Sequence, residues 1–322
     1  VDRRMNSPIP TATLDRPRIA VTLGDPRGIG PEIVASVLAD PALTDTAEIV
    51  VVGPDAMVGT AGHGVGGWTA GASTREAGWL AGKAVAAATE LALAGEVDAI
   101  VTAPIDKSAF REGGWDHPGH TEMLRDLAGV PAVAMMMAAE RTSIGPPLRV
   151  VLATTHLALR EVTRAITTEL IAQQARLTHA ALRDWWDLER PRIALCAVNP
   201  HASDNGLFGD EEARVLEPAR RLLGAEGIRV SAPIPADTVF LRALRGEFDA
   251  VLAPYHDVGM AAFKTAAFGS GVNVTLGLPF PRTSPDHGTA LDIAGKGVAD
   301  ASSMKEAVRL AVRLANRKRI RT

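Results

Sequence analysis

Seven short apolar runs constrain this chain more than any other feature of its sequence. They are rich in Val, Ile, Leu and Ala, and they lie at residues 18–23, 48–52, 98–102, 149–154, 192–198, 249–253 and 272–276. Longer stretches with helical character separate them. Strands that are buried on both faces of a mainly parallel sheet have this pattern. The sequence therefore predicts an α/β fold with mainly parallel sheets.

Local signals indicate where the longest helices begin. Ser73 is followed three residues later by Glu76, which is the spacing of a capping box at the start of a long helix. Ser303 and Glu306 repeat that spacing and predict the start of the last helix. Residues 167–188 form a third long amphipathic candidate.

Composition narrows the classes of partner. The chain has 322 residues, of which 47% are hydrophobic and 22% charged, with a formal charge of −3 and 4% aromatic residues. A basic stripe and stacking aromatics are both missing, so we expect no nucleic-acid partner. We also expect no membrane span and a cytoplasmic location, because no apolar run approaches the roughly 20 residues that a span needs. Residues 1–16 are polar and are predicted to form a flexible tail.

The single cysteine carries little chemical information. Cys196 lies inside an apolar run and has no second cysteine with which to form an internal disulfide. We interpret it as a small residue of the core.

Polar side chains follow several of the predicted strands directly. In open α/β sheets, ligands bind outside the carboxyl ends of the strands, so these segments are expected to converge on one cleft. The segments are VTLGDPRGIGPE, VTAPIDK, LATTHLAL, CAVNPHASDNGLFGDEE, LAPYHDVG and LGLPFPRTSPDHGTA.

Three histidines occupy equivalent places after strands, namely His156, His201 and His256. Each alone is better explained by a hydrogen bond within a loop, but three in equivalent positions favour a metal site instead. Neutral imidazoles suit zinc, cobalt, nickel or iron, and three protein ligands leave a position open for substrate. Asp257 and Asp237 are candidates to orient an imidazole or to accept a proton, although Asp237 also fits a helix N-cap.

A second group of side chains has the chemistry of an anion site. Cationic and hydroxyl side chains near strand ends supply the charge-assisted hydrogen bonds that a phosphate or carboxylate needs, although each of them alone is also compatible with the ordinary surface. The group consists of Lys107, His120, Thr121, Lys264, Asn273 and Arg282. Further on, DHGTALDIAGKGVAD (residues 286–300) resembles a loop able to wrap an adenosine, with Asp292 accepting from the ribose hydroxyls.

These motifs together resemble the 4-hydroxythreonine-4-phosphate dehydrogenase family of vitamin B6 biosynthesis. The matching segments run in family order from Val21 to Asp300, and GVNVTLGLPFPRTSPDHGTALDIAGKGVAD is the most specific of them. The resemblance implies a two-domain fold like that of isocitrate and isopropylmalate dehydrogenases, with an interdomain cleft. The implied domains are residues 17–115 plus 258–322 on the cofactor side, and 116–257 for metal, substrate and dimerisation. It also implies a homodimer with a shared active site.

The resemblance assigns roles to residues by position. His156, His201 and His256 are implied as metal ligands, one of them from the neighbouring subunit, with Zn, Co or Mg as the ion. The implied substrate contacts are His120, Thr121, Lys264, Asn273 and Arg282. Those to the cofactor are His287, Gly288, Thr289 and Asp292, where the acidic residue favours NAD over NADP. Asp237, Asp257 and Lys264 are the candidates for the chemical step.

The implied reaction is metal-dependent, NAD-linked oxidation of 4-phosphooxy-L-threonine at C3, followed by decarboxylation to 3-amino-2-oxopropyl phosphate. Departures from the family pattern at Val258, Asp106, Asp116 and His117, together with a shortened 53–79 region, are expected to surround the substrate. Alternatives are therefore kept. They are dehydrogenation of D-threonate or D-erythronate 4-phosphate, dehydrogenation of a cis-dihydrodiol dicarboxylate, and a non-enzymatic metal-dependent sensor or scaffold.

Overall fold

The computed structural model describes residues 16–321 except 144 and 268, without the side chains of 319–321. The predicted flexible tail lies outside the described residues, apart from Arg16. Within them the strands are β1 (Arg18–Thr22), β2 (Glu48–Gly53), β3 (His63–Gly64), β4 (Ala99–Thr102), β5 (Ala134–Ala139), β6 (Leu148–Leu152), β7 (Arg192–Cys196), β8 (Arg229–Ile234), β9 (Ala250–Ala253), β10 (Val272–Leu276) and β11 (Arg282–Pro285). All seven predicted strands are confirmed, with bounds within two residues.

Helices connect most of these strands. They are α1 (Gly30–Leu38), α2 (Pro41–Thr44), α3 (Asp55–Val58), α4 (Thr74–Leu93), α5 (Lys107–Glu112), α6 (His120–Leu127), α7 (Leu159–Ala165), α8 (Thr168–Asp184), α9 (Glu217–Ala225), α10 (Ala236–Leu244), α11 (His256–Ala267) and α12 (Ser302–Arg321). Among the described residues, no helix is both long enough and apolar enough to cross a membrane.

Two capping residues, Ser73 and Ser303, were predicted for the starts of α4 and α12. Ser73 caps α4, and its hydroxyl accepts from the main-chain N–H of Glu76, as predicted. The predicted cap at Ser303 is wrong, because Ser303 lies inside α12 and its hydroxyl donates to the carbonyl of Gly271. Asp300 accepts from the N–H of Ser302 instead, so a carboxylate occupies the capping role.

The described strands form one sheet with the order β3-β2-β1-β4-β11-β10-β5-β6-β9-β7-β8. β3, β2, β1, β4 and β11 pair in parallel, as do β6, β9, β7 and β8. Between these two parallel blocks, β10 pairs antiparallel with both β11 and β5, and β5 pairs antiparallel with β6. Because the strand direction reverses at each of these three antiparallel pairings, the two parallel blocks run in opposite directions. The sequence predicted the parallel blocks but not the antiparallel centre that joins them.

Two layers of helices cover the sheet and define where a cavity can lie. One face packs on α1, α8, α9 and α12 in a single large apolar cluster. The other face is covered in two parts: α4 and α6 pack over the first block, and α10 and α11 pack over the second. The antiparallel centre lies between these two covers. The division into two sequence domains stays a prediction, since one sheet runs through both.

Candidate active site

A cavity of about 840 Å³ opens over the antiparallel centre of the sheet. Its volume falls in the range of small-molecule sites. Met135, Met137 and Asn273 form its floor, and Asn273 is paired with Met137 in the sheet, so the three side chains share one face. Four of the six polar strand-end segments reach the cavity. The segments that contain Gly28 and His201 do not.

A buried arginine forms part of the cavity wall. Arg282 is 2% exposed, and its guanidinium donates to the hydroxyl of Thr275 at 3.0 Å and to that of Thr102 at 2.5 Å. Burial lowers the pKa of Arg282 to about 10, against the opposing effect of Glu122, so the side chain stays cationic at neutral pH. The two hydrogen bonds of the guanidinium go to neutral hydroxyls, and its Nε has no hydrogen-bond partner. A buried cation without a counter-ion is costly unless an anion binds.

His120 lies beside that cation at the start of α6. The residue is partly exposed, but its Nε2 is buried and has no hydrogen-bond partner. Burial, with the positive charges of Arg282 and Lys107, lowers the pKa of His120 well below its usual value. His120 is therefore a neutral imidazole at neutral pH. Thr121 and Lys107 line the same wall.

Helix α4 sets the position of this wall. A Cβ at Gly78 would collide with the carbonyl of Ala109 on α5, and a Cβ at Gly82 would collide with the ring of Trp115. The two glycines thus allow α5 and the following loop to pack directly on α4. That contact fixes where Lys107 and His120 enter the cavity.

Gln174 is a buried polar residue of the cavity that was missed from the sequence. Gln174 on α8 is 6% exposed, lines the cavity, and has an amide oxygen without a partner. Its signal was a polar side chain on the mostly apolar buried face of α8. Asn273, which was predicted, also has a buried side-chain oxygen without a partner. Buried polar atoms of this kind normally find a partner, so a polar ligand is expected here.

Two of the predicted metal ligands, His156 and His256, meet in the same cavity. The ring centroids of His156 and His256 are 5.7 Å apart. Gly259 permits this approach, because a Cβ there would lie 2.6 Å from Leu152, so α11 packs directly on β6. The carboxylate of Asp257 lies 2.7 Å from His256 Nδ1, which leaves Nε2 available to a metal.

The protonation of His156 suits a metal ligand. Burial, Lys107 and His256 lower its pKa, so the neutral form that coordinates metals is favoured. The donor chemistry of His156 and His256 therefore fits a divalent ion. Tyr255, which precedes His256, packs on the core.

His201 does not join this pair within one chain. It is exposed, lies outside the cavity lining, and has its ring 6.3 Å from that of Phe208. No group of three acidic, cysteine or histidine side chains among the described residues is arranged to hold a metal. One chain thus brings two imidazoles of the predicted set together, and His201 lies apart from them.

Asp237 is also outside the cavity. It is exposed in the first turn of α10, whose N-cap is Pro235, and that helix start has no side-chain cap. The alternative interpretation of Asp237 as an N-cap is therefore wrong.

The predicted cofactor residues begin at the cavity rim. Lys264 and Asp286 form an ion pair of 3.5 Å at this rim, and His287 and Gly288 follow. His287 Nε2 is buried without a partner. Thr289 and Asp292 lie beyond the cavity on the same segment, and Asp292 is exposed. We call residues 286–300 the cofactor loop.

The start of α1 holds the cofactor loop. Ile29 donates its N–H to the carbonyl of Thr289 at 3.0 Å, and a Cβ at Gly28 would lie 2.9 Å from the same oxygen. The carboxylate of Glu32 accepts from the N–H groups of Gly295 and Gly297 at 3.3 and 3.0 Å. The strand-end segment VTLGDPRGIGPE thus supports the cofactor loop, and it does not line the cavity.

The departures from the family pattern do not line the cavity, contrary to the expectation from sequence. Val258 packs on the apolar cluster between the sheet and α11. Asp106 caps α5 by accepting from the N–H of Ala109. Asp116 is exposed, and His117 lies 3.3 Å from Asp126. These four residues therefore give no direct reason to doubt the substrate. The predicted core role of Cys196 is confirmed, since its side chain is buried, and this burial raises its pKa to about 12.

Known proteins resemble the chain over most of its length. The model of one family, described as pyridoxal phosphate biosynthetic protein PdxA, matches residues 35–311. A 4-hydroxythreonine-4-phosphate dehydrogenase of Geobacter metallireducens is 41% identical over 93% of this chain and 96% of that protein. A D-threonate 4-phosphate dehydrogenase of Cupriavidus necator is 39% identical over 94% of this chain and 98% of that protein.

Solved structures agree with this similarity. A 4-hydroxythreonine-4-phosphate dehydrogenase from Klebsiella pneumoniae has a TM-score of 0.81 at 39% identity, covering 93% of this chain and 99% of its own. A terephthalate 1,2-cis-dihydrodiol dehydrogenase from Burkholderia xenovorans has a TM-score of 0.67 at 27% identity, covering 92% of this chain and 98% of its own. An isocitrate dehydrogenase from Methylococcus capsulatus has a TM-score of 0.53 at 17% identity, covering 94% of this chain and 87% of its own. This similarity supports the fold alone. The predicted α/β fold of the isocitrate dehydrogenase type is confirmed.

Proposed function

The chain belongs to the family of the pyridoxal phosphate biosynthetic protein PdxA, and on that premise we propose that it is an NAD-linked dehydrogenase of 4-phosphooxy-L-threonine. It oxidises the substrate at C3 and decarboxylates the product to 3-amino-2-oxopropyl phosphate. The observation that carries the proposal is the buried, unpaired guanidinium of Arg282 in the cavity wall. Such a cation needs an anionic ligand.

The substrate phosphate is held by the group around Arg282. Arg282 supplies a fixed charge, since Thr102 and Thr275 hold its guanidinium in place. His120 is neutral and can donate one N–H to a phosphate oxygen, while Thr121 adds a hydroxyl. Lys264 approaches from the other side of the cavity, where Asp286 orients it. Asn273 completes the predicted set of substrate contacts from the cavity floor.

His156 and His256 form the metal end of the site, and His201 of a second subunit is the proposed third ligand. A divalent ion such as Zn, Co or Mg, held there, would polarise the C3 hydroxyl of the substrate and lower its pKa. The chain's own contribution is the fixed orientation of the two imidazoles. Asp257 accepts the Nδ1 proton of His256 and so directs its Nε2 toward the cavity.

The chemical step moves one proton and one hydride. The hydroxyl proton passes to a base of the cavity, for which Asp257 and Lys264 are the candidates within one chain. Asp237 can take part only from a partner subunit, because it lies outside the cavity of its own chain. NAD, when bound, would accept the hydride of C3 on its nicotinamide. The β-keto acid then loses CO₂, and the carbanion that remains takes up a proton.

The cofactor is proposed to bind along the cofactor loop. His287 and Gly288 stand at the cavity rim, where the nicotinamide must meet the substrate, and Thr289 lies just beyond them. Asp292 lies three residues after Thr289 and is exposed, and its negative charge disfavours a 2′-phosphate. NAD is therefore preferred to NADP.

A homodimer with shared sites accounts for two features of the single chain. The proposed metal site has only two imidazoles, and Asp237 lies outside the cavity. His156 is followed by Leu157 and Leu159, which are 48% and 68% exposed. The segment after His201 carries Leu207 and Phe208, which are 72% and 46% exposed. Large exposed apolar side chains next to both ligands suit a subunit interface. The cytoplasmic location stays a prediction.

The test is NADH formation from 4-phosphooxy-L-threonine by metal-loaded protein, with D-threonate 4-phosphate in a parallel series. A higher kcat/KM for the first substrate supports the proposal. A clear preference for the second would instead establish the second candidate, which the Cupriavidus necator relative favours. D-Erythronate 4-phosphate belongs in the same series.

Two further alternatives are tested in the same assay. A terephthalate-type dihydrodiol dicarboxylate has no phosphate, so turnover of that compound in place of the phosphorylated substrates would contradict the role of Arg282 and Lys264. A metal-dependent sensor or scaffold would reduce no NAD with any of them. Turnover that disappears in His256→Ala, with the protein still folded, excludes that role.

A further inference from the structure

The turn that carries His201 has an unusual backbone. His201, Ala202, Ser203, Asp204 and Asn205 all have positive φ, between 42° and 68°. Only the next residue, Gly206, is a glycine. L-residues rarely adopt this left-handed region, and a run of five is strained, most of all at Ala202 and Ser203. We call residues 201–206 the His201 turn.

The hydrogen bonds inside the turn do not tie it to the rest of the protein. Gly206 and Phe208 donate their N–H groups to the carbonyl of Ser203 at 3.0 and 3.1 Å, and Ala202 donates to the carbonyl of Asn199 at 3.2 Å. These contacts are local. A strained segment persists only where its surroundings hold it, so a second set of contacts has to fix this turn.

Glu212 supplies that second set. Its side chain is 5% exposed, and one oxygen accepts from the N–H groups of Val198 and Asn199, both at 2.8 Å. The other oxygen accepts from the side-chain amide of Asn199 at 2.9 Å and from the hydroxyl of Ser203. One carboxylate therefore holds both the approach to the turn and its centre.

The helical segment that carries Glu212 is anchored in the core, and the carboxylate of Glu212 is stabilised in its ionised form. Glu212 opens a π-helical turn whose Val215 and Leu216 are buried in the core. Burial alone would raise the pKa of Glu212, but the hydrogen bonds from Asn199 and Ser203 outweigh it and lower the pKa. Four donors converge on the carboxylate, so an amide in its place would bring its own N–H groups against some of them.

We propose that Glu212 is a positioning residue, which holds the His201 turn in its left-handed form and so presents His201 to the neighbouring subunit's metal site. The role rests on the proposed function in that the metal site gives the presentation its purpose. The competing possibility is that Glu212 only anchors the start of its helix. These two roles differ in what they predict for the backbone of the turn.

The experiment compares Glu212→Gln with Glu217→Gln in the full-length protein. Glu217 lies further along the same helical segment and pairs with Arg220. Amide hydrogen exchange without metal is expected to accelerate about tenfold or more over residues 199–208 in E212Q and to stay unchanged there in E217Q. Affinity for Co²⁺, followed by its visible absorption, is expected to fall about ten- to a hundredfold in E212Q alone.

A glycine rescue separates positioning from general support. Ala202→Gly removes the conformational cost at one left-handed residue, so in the E212Q background it should restore part of the Co²⁺ affinity. If E212Q does not fold, Ser203→Ala removes one donor and keeps the carboxylate. It should then show the same changes at smaller size.

Unchanged exchange over residues 199–208 together with unchanged Co²⁺ affinity in E212Q, or equal losses in E217Q, would overturn the proposal. So would a failure of Ala202→Gly to restore any affinity. Wild-type Co²⁺ affinity in His201→Ala would refute the proposed metal site and the presentation of His201 with it. The exchange result would then still decide whether Glu212 holds the turn.

Discussion

The cofactor loop and the His201 turn are held in the same way but built from different residues. In each, the carboxylate of a residue in a neighbouring helical segment accepts main-chain N–H groups. Glu32 accepts from Gly295 and Gly297, and Glu212 accepts from Val198 and Asn199.

The difference between them lies in where positive φ falls. In the cofactor loop Gly295 and Gly297 carry it, together with Ala290. In the His201 turn five side-chain-bearing residues carry it. A loop that only has to approach a ligand with its backbone can use glycine. A turn that is proposed to present an imidazole keeps its side chains, and here Glu212 holds it from outside the turn.

The largest expected effect is on stability. Glu212→Gln should lower the free energy of unfolding by about 3 kcal/mol, because it sets an amide among buried donors. Glu32→Gln should lower it by about 1 kcal/mol or less, since its loop is exposed. Urea unfolding of the two variants measures the contrast. Equal losses would mean that the two clamps do not differ.

Glu140 provides an ionic counterpart to these main-chain clamps. Its carboxylate pairs with Arg149 at 3.0 Å and with Arg313 at 2.6 Å. Burial opposes ionisation, but the two cations and a hydrogen bond from Trp186 outweigh it and lower the pKa of Glu140 from 4.5 to about 2.

A lowered pKa of Glu140 in the folded state means stability that is fully present above about pH 5 and is lost as the pH falls toward 2. The loss amounts to about 3 kcal/mol. We therefore expect the gap in unfolding free energy between wild type and Glu140→Gln to shrink over that window. A gap that does not depend on pH would show that Glu140 is not selectively stabilised as a carboxylate.

We expect the loss of Glu32 to weaken the binding of NAD more than the binding of phosphate. Glu32→Ala is expected to raise the Kd for NAD about tenfold, the equivalent of one hydrogen bond of about 1.4 kcal/mol. Binding titrations with NAD and with inorganic phosphate measure this. Glu90→Gln, on the exposed face of α4, is the control. Weakened phosphate binding of the same size would contradict a role restricted to the cofactor loop.

The smallest effects form a matched pair of opposite sign. Gly297 has φ 67° and no atom within 4 Å of an added Cβ, so Gly297→Ala should cost about 1 kcal/mol from backbone conformation alone. Ala202→Gly should recover about the same amount in the His201 turn. Thermal or urea unfolding gives both values. A destabilising Ala202→Gly would show that the turn is not strained.

Much of the fold was visible in the sequence because apolar β-branched runs mark buried parallel strands. The strands that were missed lack that mark. β5 is AMMMAA and β8 contains a proline, so their pairing is decided by partners far away in the chain. The antiparallel centre, and with it the position of the cavity, therefore could not be predicted from local patterns.

The candidate site was predictable where function depends on residue type after a strand, as for His156, His256 and Arg282. It was not predictable where packing decides the direction of a side chain. Val258 follows the metal-ligand candidate His256 by two residues yet packs on the core, and Gln174 reaches the cavity from the middle of a helix. The separation of His201 from the other two histidines likewise depends on tertiary structure.

The central claim is that two subunits complete one active site. It is tested most directly by mixing the inactive variants His201→Ala and His256→Ala under conditions that exchange subunits, and by measuring NADH formation from 4-phosphooxy-L-threonine. Each mixed dimer then has one site with all three imidazoles and one with neither His256 nor His201. We predict recovery of about a quarter of the wild-type activity, the statistical share for a two-fold dimer. No recovery, with mixed dimers demonstrated, would contradict a shared site.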